Sequence, residues 1–182
     1  KNSMLKRIGL LVCVFFLLAG MCANSAYAEK LTPSLCREKV LEAAELLKTQ
    51  GEAAFDTFRD PESTFRFGDG KGYVWVHDLD AVTLVQPIRP ELEGKNLMSL
   101  RDVNGVYIFV AMNETVEDYG AGWVEYYWNK PGENVPSPKV SYVKLVEKDG
   151  ESYVIGSGVY DYTKDDIREI FPDDEIYEED AI

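Results

Sequence analysis

Few side chains in this sequence have the type and spacing that chemistry requires. The sole histidine, His77, lies in Gly72–Val85, GYVWVHDLDAVTLV, and a second aromatic block follows at Gly122–Trp128, GWVEYYW. One histidine excludes a multi-histidine metal site. Gly156-Ser157-Gly158 lacks the spacing of a nucleophile elbow, and no histidine stands nearby in sequence to activate the serine. Gly68, Gly70 and Gly72 precede a strand-like run rather than a helix, so a phosphate-cradling turn is missing. Asp78 and Asp80 open like a calcium loop, without its sixth-position glycine or twelfth-position glutamate. Carboxylates are plentiful, yet no pair stands at a spacing that singles out an acid and a base. The pattern points to an aromatic pocket rather than to a catalytic centre, and no cofactor or metal is implied.

Composition narrows the partners. The chain holds 32 acidic and 19 basic residues, a net charge of −13. Such a surface excludes nucleic acid and anionic lipid as partners, since both need basic ground. The N-terminus carries Lys1, Lys6 and Arg7, an apolar run from Ile8 to Gly20, and the small-residue site Ala26-Tyr27-Ala28. Those are the three parts of a secretory signal peptide, residues 1–28, with cleavage expected after Ala28. An uncleaved N-terminal anchor is the other reading, although about a dozen apolar residues are short for a hydrocarbon core roughly 30 Å thick. Losing Lys1, Lys6, Arg7 and no acid leaves 16 basic against 32 acidic residues. Cleavage would also remove Cys13 and Cys22 and leave Cys36 alone, either as a small core residue or as a free thiol. The protein is expected to be exported, periplasmic or secreted, and built without disulfides on one ordinary core.

Behind the chemistry stand the elements that must position it. Thr32-Pro33 starts a helix, Cys36, Val40, Ala43, Ala44 and Leu47 recur at helical spacing, and Gly51 falls where a C-cap glycine belongs. A shorter helical piece over 52–58 ends at Asp60-Pro61, and Phe67–Gly72 reads as a loop. Tyr73–His77 and Val82–Val85 read as strands around the turn Asp78–Ala81. Pro87–Gly105 is polar and glycine-punctuated, and Val106–Val116 fits either a strand or a helix. Gly122–Trp128, Lys139–Val146 and Tyr153–Tyr160 read as three further strands, the last two around Lys148-Asp149-Gly150. Thr163–Phe171 reads as a terminal helix before an acidic tail, residues 173–182, whose charges are expected to be solvated. The fold class is α/β of the α+β kind: an antiparallel sheet of about five strands, a long N-terminal helix, and helices on one face. Residues 29–172 form one domain.

Several of these segments, in order, resemble a Cache domain, specifically the single, type 2 form found outside the membrane in bacterial chemoreceptors and sensor kinases. The resemblance runs from about Ala43 to Tyr160. It is carried by Gly51-Glu52-Ala53-Ala54-Phe55, YVWVHDLD, Gln86-Pro87, Glu93-Gly94-Lys95-Asn96-Leu97, Asp102–Tyr107, GWVEYYW, Pro138–Lys144 and Val154–Tyr160. It implies a PAS-like fold, a helix over Val106–Val116, and a pocket between the sheet and the segment crossing it. It also implies a small organic ligand, often a short carboxylate such as acetate, propionate, pyruvate or lactate, and a role in signal transduction or chemotaxis. Two residues depart from the pattern: Ala81, where glycine is frequent, and Gln86, where histidine is frequent. No kinase, methyl-accepting or HAMP-like segment is present, so the domain is read as free-standing, with a membrane sensor protein as its expected partner.

A carboxylate pocket needs fixed donors within an apolar wall closed to water. Tyr126 and Trp128 share a strand face with Val124 and could supply both, or that face could be plain core. Lys139 is the candidate cation, or else a solvated lysine at a strand start. The resemblance places Tyr142 beside the pocket and Tyr107 over it, and puts Gln86 within reach of the ligand. His77 shares a face with Tyr73 and Trp75 and is either a ligand contact or a hydrogen-bonded core residue. The expected protein is a sensory ligand-binding module and not an enzyme; the alternative is a structural or protein-interaction module that kept the fold without its pocket.

Overall fold

The computed structural model describes residues 30–179. The expected signal segment, with Cys13 and Cys22, lies outside the described residues. Helix α1 spans Pro33–Gln50. Thr32 Oγ1 accepts from the Leu35 N–H at 3.2 Å, Pro33 occupies the first turn, and Gly51 closes the helix at φ 61°. Its buried residues Cys36, Val40, Ala43, Ala44 and Leu47 are the apolar series of the sequence. A 3-10 turn, Gly51–Ala54, leads into α2, Phe55–Arg59.

Phe67–Gly72, expected to be a loop, instead forms the turn of a miniature hairpin, with β1 (Arg66–Phe67) paired to β2 (Gly72–Tyr73). Gly68, Asp69 and Gly70 all take positive φ there. Then come β3 (Trp75–Asp78) and β4 (Thr83–Val85). Ala81, in their connecting turn, sits at φ 57°, the left-handed conformation for which glycine is the natural choice. A crossing segment with little regular structure reaches α3, Ile108–Tyr119, so the ambiguous stretch is a helix despite its β-branched opening. Strands β5 (Ala121–Asn129), β6 (Pro136–Lys148) and β7 (Glu151–Tyr160) follow as a meander, and α4 spans Lys164–Ile170 behind a Thr163 capping box.

The main sheet is antiparallel throughout, in the order β4-β3-β7-β6-β5. Alternation along its strands makes two faces. One buries Val74, Val76, Trp123, Val140, Tyr142 and Ile155 against α1, α2 and α4. The other buries Tyr73, Trp75, Val124, Tyr126, Val143 and Val154 against α3 and the crossing segment. Helices therefore flank both faces rather than one. The reason is compositional: Tyr73, Trp75, Val124 and Tyr126 are as apolar as the residues between them, so neither face can be left to water. Among the described residues, no helix is long and apolar enough to cross a membrane.

The acidic tail is not merely solvated. Asp174 accepts from Arg37 Nε at 2.9 Å and Nη2 at 3.1 Å, and from the Trp123 indole N–H at 2.9 Å. The Trp123 N–H donates to the Glu175 carbonyl and the Tyr177 N–H to the Trp123 carbonyl, so the tail adds a parallel bridge to the edge of β5. Covering an edge removes unpaired backbone groups that would otherwise template another chain. Asp174→Ala would strand the indole N–H of a fully buried tryptophan. Urea unfolding should show a loss of about 1–3 kcal/mol with the m value unchanged.

Candidate ligand-binding site

On the face that packs against α3, strand register gathers one unusual cluster. Tyr126 on β5 stands opposite Lys139 on β6, which stands opposite Tyr160 on β7. Next to β7, β3 pairs Trp75 with Gly156, and Tyr73, at the end of β2 two residues earlier, buries in the same cluster. The Lys139 side chain crosses Gly158. A Cβ there would lie 2.7 Å from Lys139 Cε and 2.1 Å from Ser141 Oγ, so glycine is what leaves the lysine its path. Gly156 does the same for the Trp75 indole, whose ring would meet a Cβ at 2.4 Å.

Lys139 is 1% exposed. Its Nζ donates to the Tyr73 hydroxyl at 3.2 Å. It lies 4.7 Å from the Tyr73 ring centroid, 5.0 Å from those of Trp75 and Tyr160, and 5.9 Å from that of Tyr126. No carboxylate pairs with it among the described residues. Burial works against the ammonium charge, but the phenol groups of Tyr126, Tyr73 and Tyr160 outweigh it and hold Lys139 above its ordinary value. Burial pushes the Tyr126 and Tyr160 phenols up. Tyr126 Oη and Ser141 Oγ hydrogen-bond to each other at 2.9 Å, and the Tyr160 hydroxyl donates to the Asn129 carbonyl at 2.8 Å. The buried Trp75 indole N–H finds no acceptor among the described residues. A fixed cation, an idle N–H donor and aromatic walls are the elements of a small-anion site, here packed closely over Gly156 and Gly158.

Of the residues expected to form a site, three meet here. Tyr126 and Lys139 touch the chamber directly, and Trp128 packs edge-on against Tyr126 with ring centroids 6.3 Å apart. Tyr142 is on the opposite face, packed on Trp123 at 5.2 Å under the Arg37 guanidinium. Tyr107 caps the start of α3, 40% exposed, with the Arg101 guanidinium 3.8 Å from its ring. Gln86 is buried, but its amide oxygen accepts from the Ile88 N–H at 3.4 Å and its own N–H donates to Glu93, a local brace at the end of β4. Sequence reasoning missed Tyr73, Trp75, Ser141 and Tyr160 as chamber residues. The signal that could have found them is the pair Gly156 and Gly158, two gaps on one strand face that only large side chains from adjacent strands can fill.

His77 lies farther along β3 on the chamber face, fully buried, its ring edge-on to Phe109 at 4.9 Å. Asn113 Nδ2 donates to the Leu79 carbonyl at 2.7 Å, which turns its Oδ1 toward His77 Nε2 at 3.1 Å. That network assigns the Nε2–H tautomer. His77 is thus a clamp between β3 and α3.

A Cache domain family model matches residues 48–179. Over 92 residues the chain is 37% identical to the methyl-accepting chemotaxis protein McpP of Pseudomonas putida, a stretch that is 50% of this chain but only 16% of that protein. Among solved structures, a Cache chemosensory domain determined for its carboxylic acid recognition superposes with a TM-score of 0.56 at 31% identity, covering 68% of this chain and 84% of that one. The periplasmic sensor domain of a chemotaxis protein superposes with a TM-score of 0.54 at 34% identity, covering 69% and 88%.

Burial pulls His77 down to about 4, against a smaller opposing effect of its bond to Asn113. The native state then refuses a proton that the unfolded state takes below about 6.5. Stability should be unaffected by this group above that value and should fall between about pH 6.5 and 4, by up to about 1.4 kcal/mol per pH unit. Urea titrations across this range should show a shallower slope for His77→Gln than for the wild type, whatever its stability at pH 8.

Proposed function

The chain belongs to the Cache domain family, and from that premise we propose that it is an extracytoplasmic sensor module whose Lys139 chamber takes the carboxylate of a small organic acid. The observation that carries this reading is the Lys139 ammonium, enclosed by aromatic rings without a carboxylate beside it among the described residues. An ammonium has three donors; the Tyr73 and Tyr126 hydroxyls accept from it, which leaves one for a ligand. A ligand carboxylate would accept charge-assisted bonds from Nζ and from the idle Trp75 indole N–H, with the rings excluding water around it. The ligand's short hydrocarbon end would rest on Tyr126 and the α3 side of the chamber. The same residues offer no activated nucleophile and no acid–base pair, which favours binding over conversion.

Bound acid would be reported to a membrane sensor protein, in keeping with the chemotaxis role of McpP and the periplasmic setting of the solved sensor domain. Export would rest on the N-terminal signal segment. A second reading has an observation of its own: four rings already surround the ammonium and can hold its charge through cation–π attraction. On that reading the protein is an interaction module whose chamber is filled by its own side chains.

Thermal-shift titration with acetate, propionate, pyruvate and lactate separates the two. An acid at a hundred times its dissociation constant should add about 2.7 kcal/mol of stability. Lys139→Met should abolish that response without unfolding the protein, since an apolar side chain of similar length suits a buried cavity. Lys144→Met, on the other face of β6, should keep it. No shift with these acids, nor with a panel of amines and amino acids, would leave the interaction module as the function.

A further inference from the structure

Two clefts approach the chamber from outside. One, about 220 Å³, opens beside Arg89, Arg101 and Trp128. Trp128 touches Tyr126, so two rings in series separate that cleft from the ammonium. The other, about 570 Å³, opens between Leu31 ahead of α1, the β1–β2 turn at Gly68, and the β5–β6 loop at Lys130, Pro131 and Glu133. Tyr160 lines it, and the same ring lies 5.0 Å from Lys139 Nζ. A single side chain stands between this cleft and the buried charge.

We infer that the larger cleft is the entrance to the Lys139 chamber and that Tyr160 is its gate, an inference that rests on the carboxylate reading above. Tyr160 is placed to move. It ends β7, and the next residue, Asp161, turns the chain away at φ 63°. Its ring is held by neutral hydrogen bonds of its hydroxyl, to the Asn129 carbonyl and with the Tyr73 hydroxyl. The loop above is tethered by one exposed ion pair, Lys130 to Asp161 at 2.7 Å, with Lys130 Nζ 5.9 Å from the Tyr160 ring. These tethers are of the weak kind, neutral hydrogen bonds and a solvent-screened pair. On the chamber side, Tyr126 is held differently: it lies mid-strand, 4% exposed, bonded to Ser141. The rings around the ammonium are therefore unequal, and the one facing the larger cleft is the one whose release disturbs least. Opening it would admit an acid to Nζ, and closing it would restore the dry surroundings in which the carboxylate–ammonium bonds are strong.

The gate can be measured with no carboxylate present, through reductive methylation of Lys139 by formaldehyde and dimethylamine–borane, taken as the limiting rate of the free amine from its pH dependence and followed by peptide mapping. Tyr160→Phe removes the tethering hydroxyl together with one of the groups that raise Lys139, so the comparison uses the limiting free-amine rate, which should rise roughly two- to tenfold, the range set by a hydrogen bond. Lys130→Met leaves every neighbour of the ammonium in place and should raise it by less. Arg89→Gln, at the smaller cleft, should leave it unchanged. In stopped-flow binding of propionate, both gate variants should speed association, and Lys130→Met, which touches no neighbour of the ammonium, should speed association and dissociation together with the dissociation constant within about twofold of the wild type, as expected when only a barrier is lowered. Acceleration by Arg89→Gln, or by none of the variants, overturns the gate. Absence of propionate binding alongside acceleration by Tyr160→Phe and Lys130→Met would overturn the carboxylate reading and keep the gate.

Discussion

Taking an ammonium ion out of water costs several kcal/mol even after the protein relaxes around it. Lys139 is 1% exposed at the centre of a sheet face, so something in the fold must offset that cost. The offset among the described residues is aromatic: electron-rich ring faces on several sides and the phenol oxygens of Tyr73 and Tyr126, which accept from it. Much of the local sequence follows from this requirement. Tyr73 and Trp75 must share a face, hence their two-residue spacing on neighbouring positions of one ribbon. Gly158 and Gly156 must lack side chains, because the lysine stem and the indole occupy the space above them. Ser141 must be small and polar to hydrogen-bond the Tyr126 hydroxyl beside the lysine.

The same strands serve the opposite face with opposite chemistry. Trp123 stacks on Phe171 at 5.4 Å and packs on Tyr142, and its indole N–H is taken by Asp174. Trp123 and Trp75 are both buried tryptophans of one sheet, yet one has its N–H satisfied by a carboxylate and the other has none among the described residues. The α1 face has its tail docked on β5, and the buried Ser157 hydroxyl on it has no partner better than the weakly bonding Cys36 thiol among the described residues. The α3 face carries a buried cation and an indole N–H without an acceptor among the described residues.

Much of this was legible in the sequence, and the part that was not has a physical cause. The α1 cap, the strand run of β5 and the shared face of Tyr126 and Trp128 follow from local spacing alone, and local spacing holds them in the structure. The helix over Ile108–Tyr119 was not decidable locally, because β-branched residues favour strands while burial on both sides favours either form; packing on the sheet decided it. Tyr142 shows a different failure. It stands three residues from Lys139, an odd step, and in a strand an odd step reverses the face. The resemblance drew both to one pocket where alternation separates them. Tyr73, Trp75 and Tyr160 join the chamber only through the β3–β7 and β6–β7 pairings, which are long-range and leave no trace in the spacing of any one strand. Ala81 runs the other way: its φ of 57° gives the physical reason for the glycine that the resemblance implies there.

Net charge and local charge pull in opposite directions here, and magnitude decides between them. A chain of net charge −13 repels an organic acid at long range. Exposed charges are screened over about 8 Å at physiological ionic strength, so most of that repulsion fades before contact. The Lys139 ammonium is screened by nothing but ring faces, in surroundings where Coulomb attraction is several times stronger than in bulk water. One buried cation can therefore outweigh many dispersed surface anions for a ligand small enough to reach it. A nucleic acid or an anionic membrane, too large to enter, would meet only the acidic exterior. Burying the cation thus favours small anions over large ones.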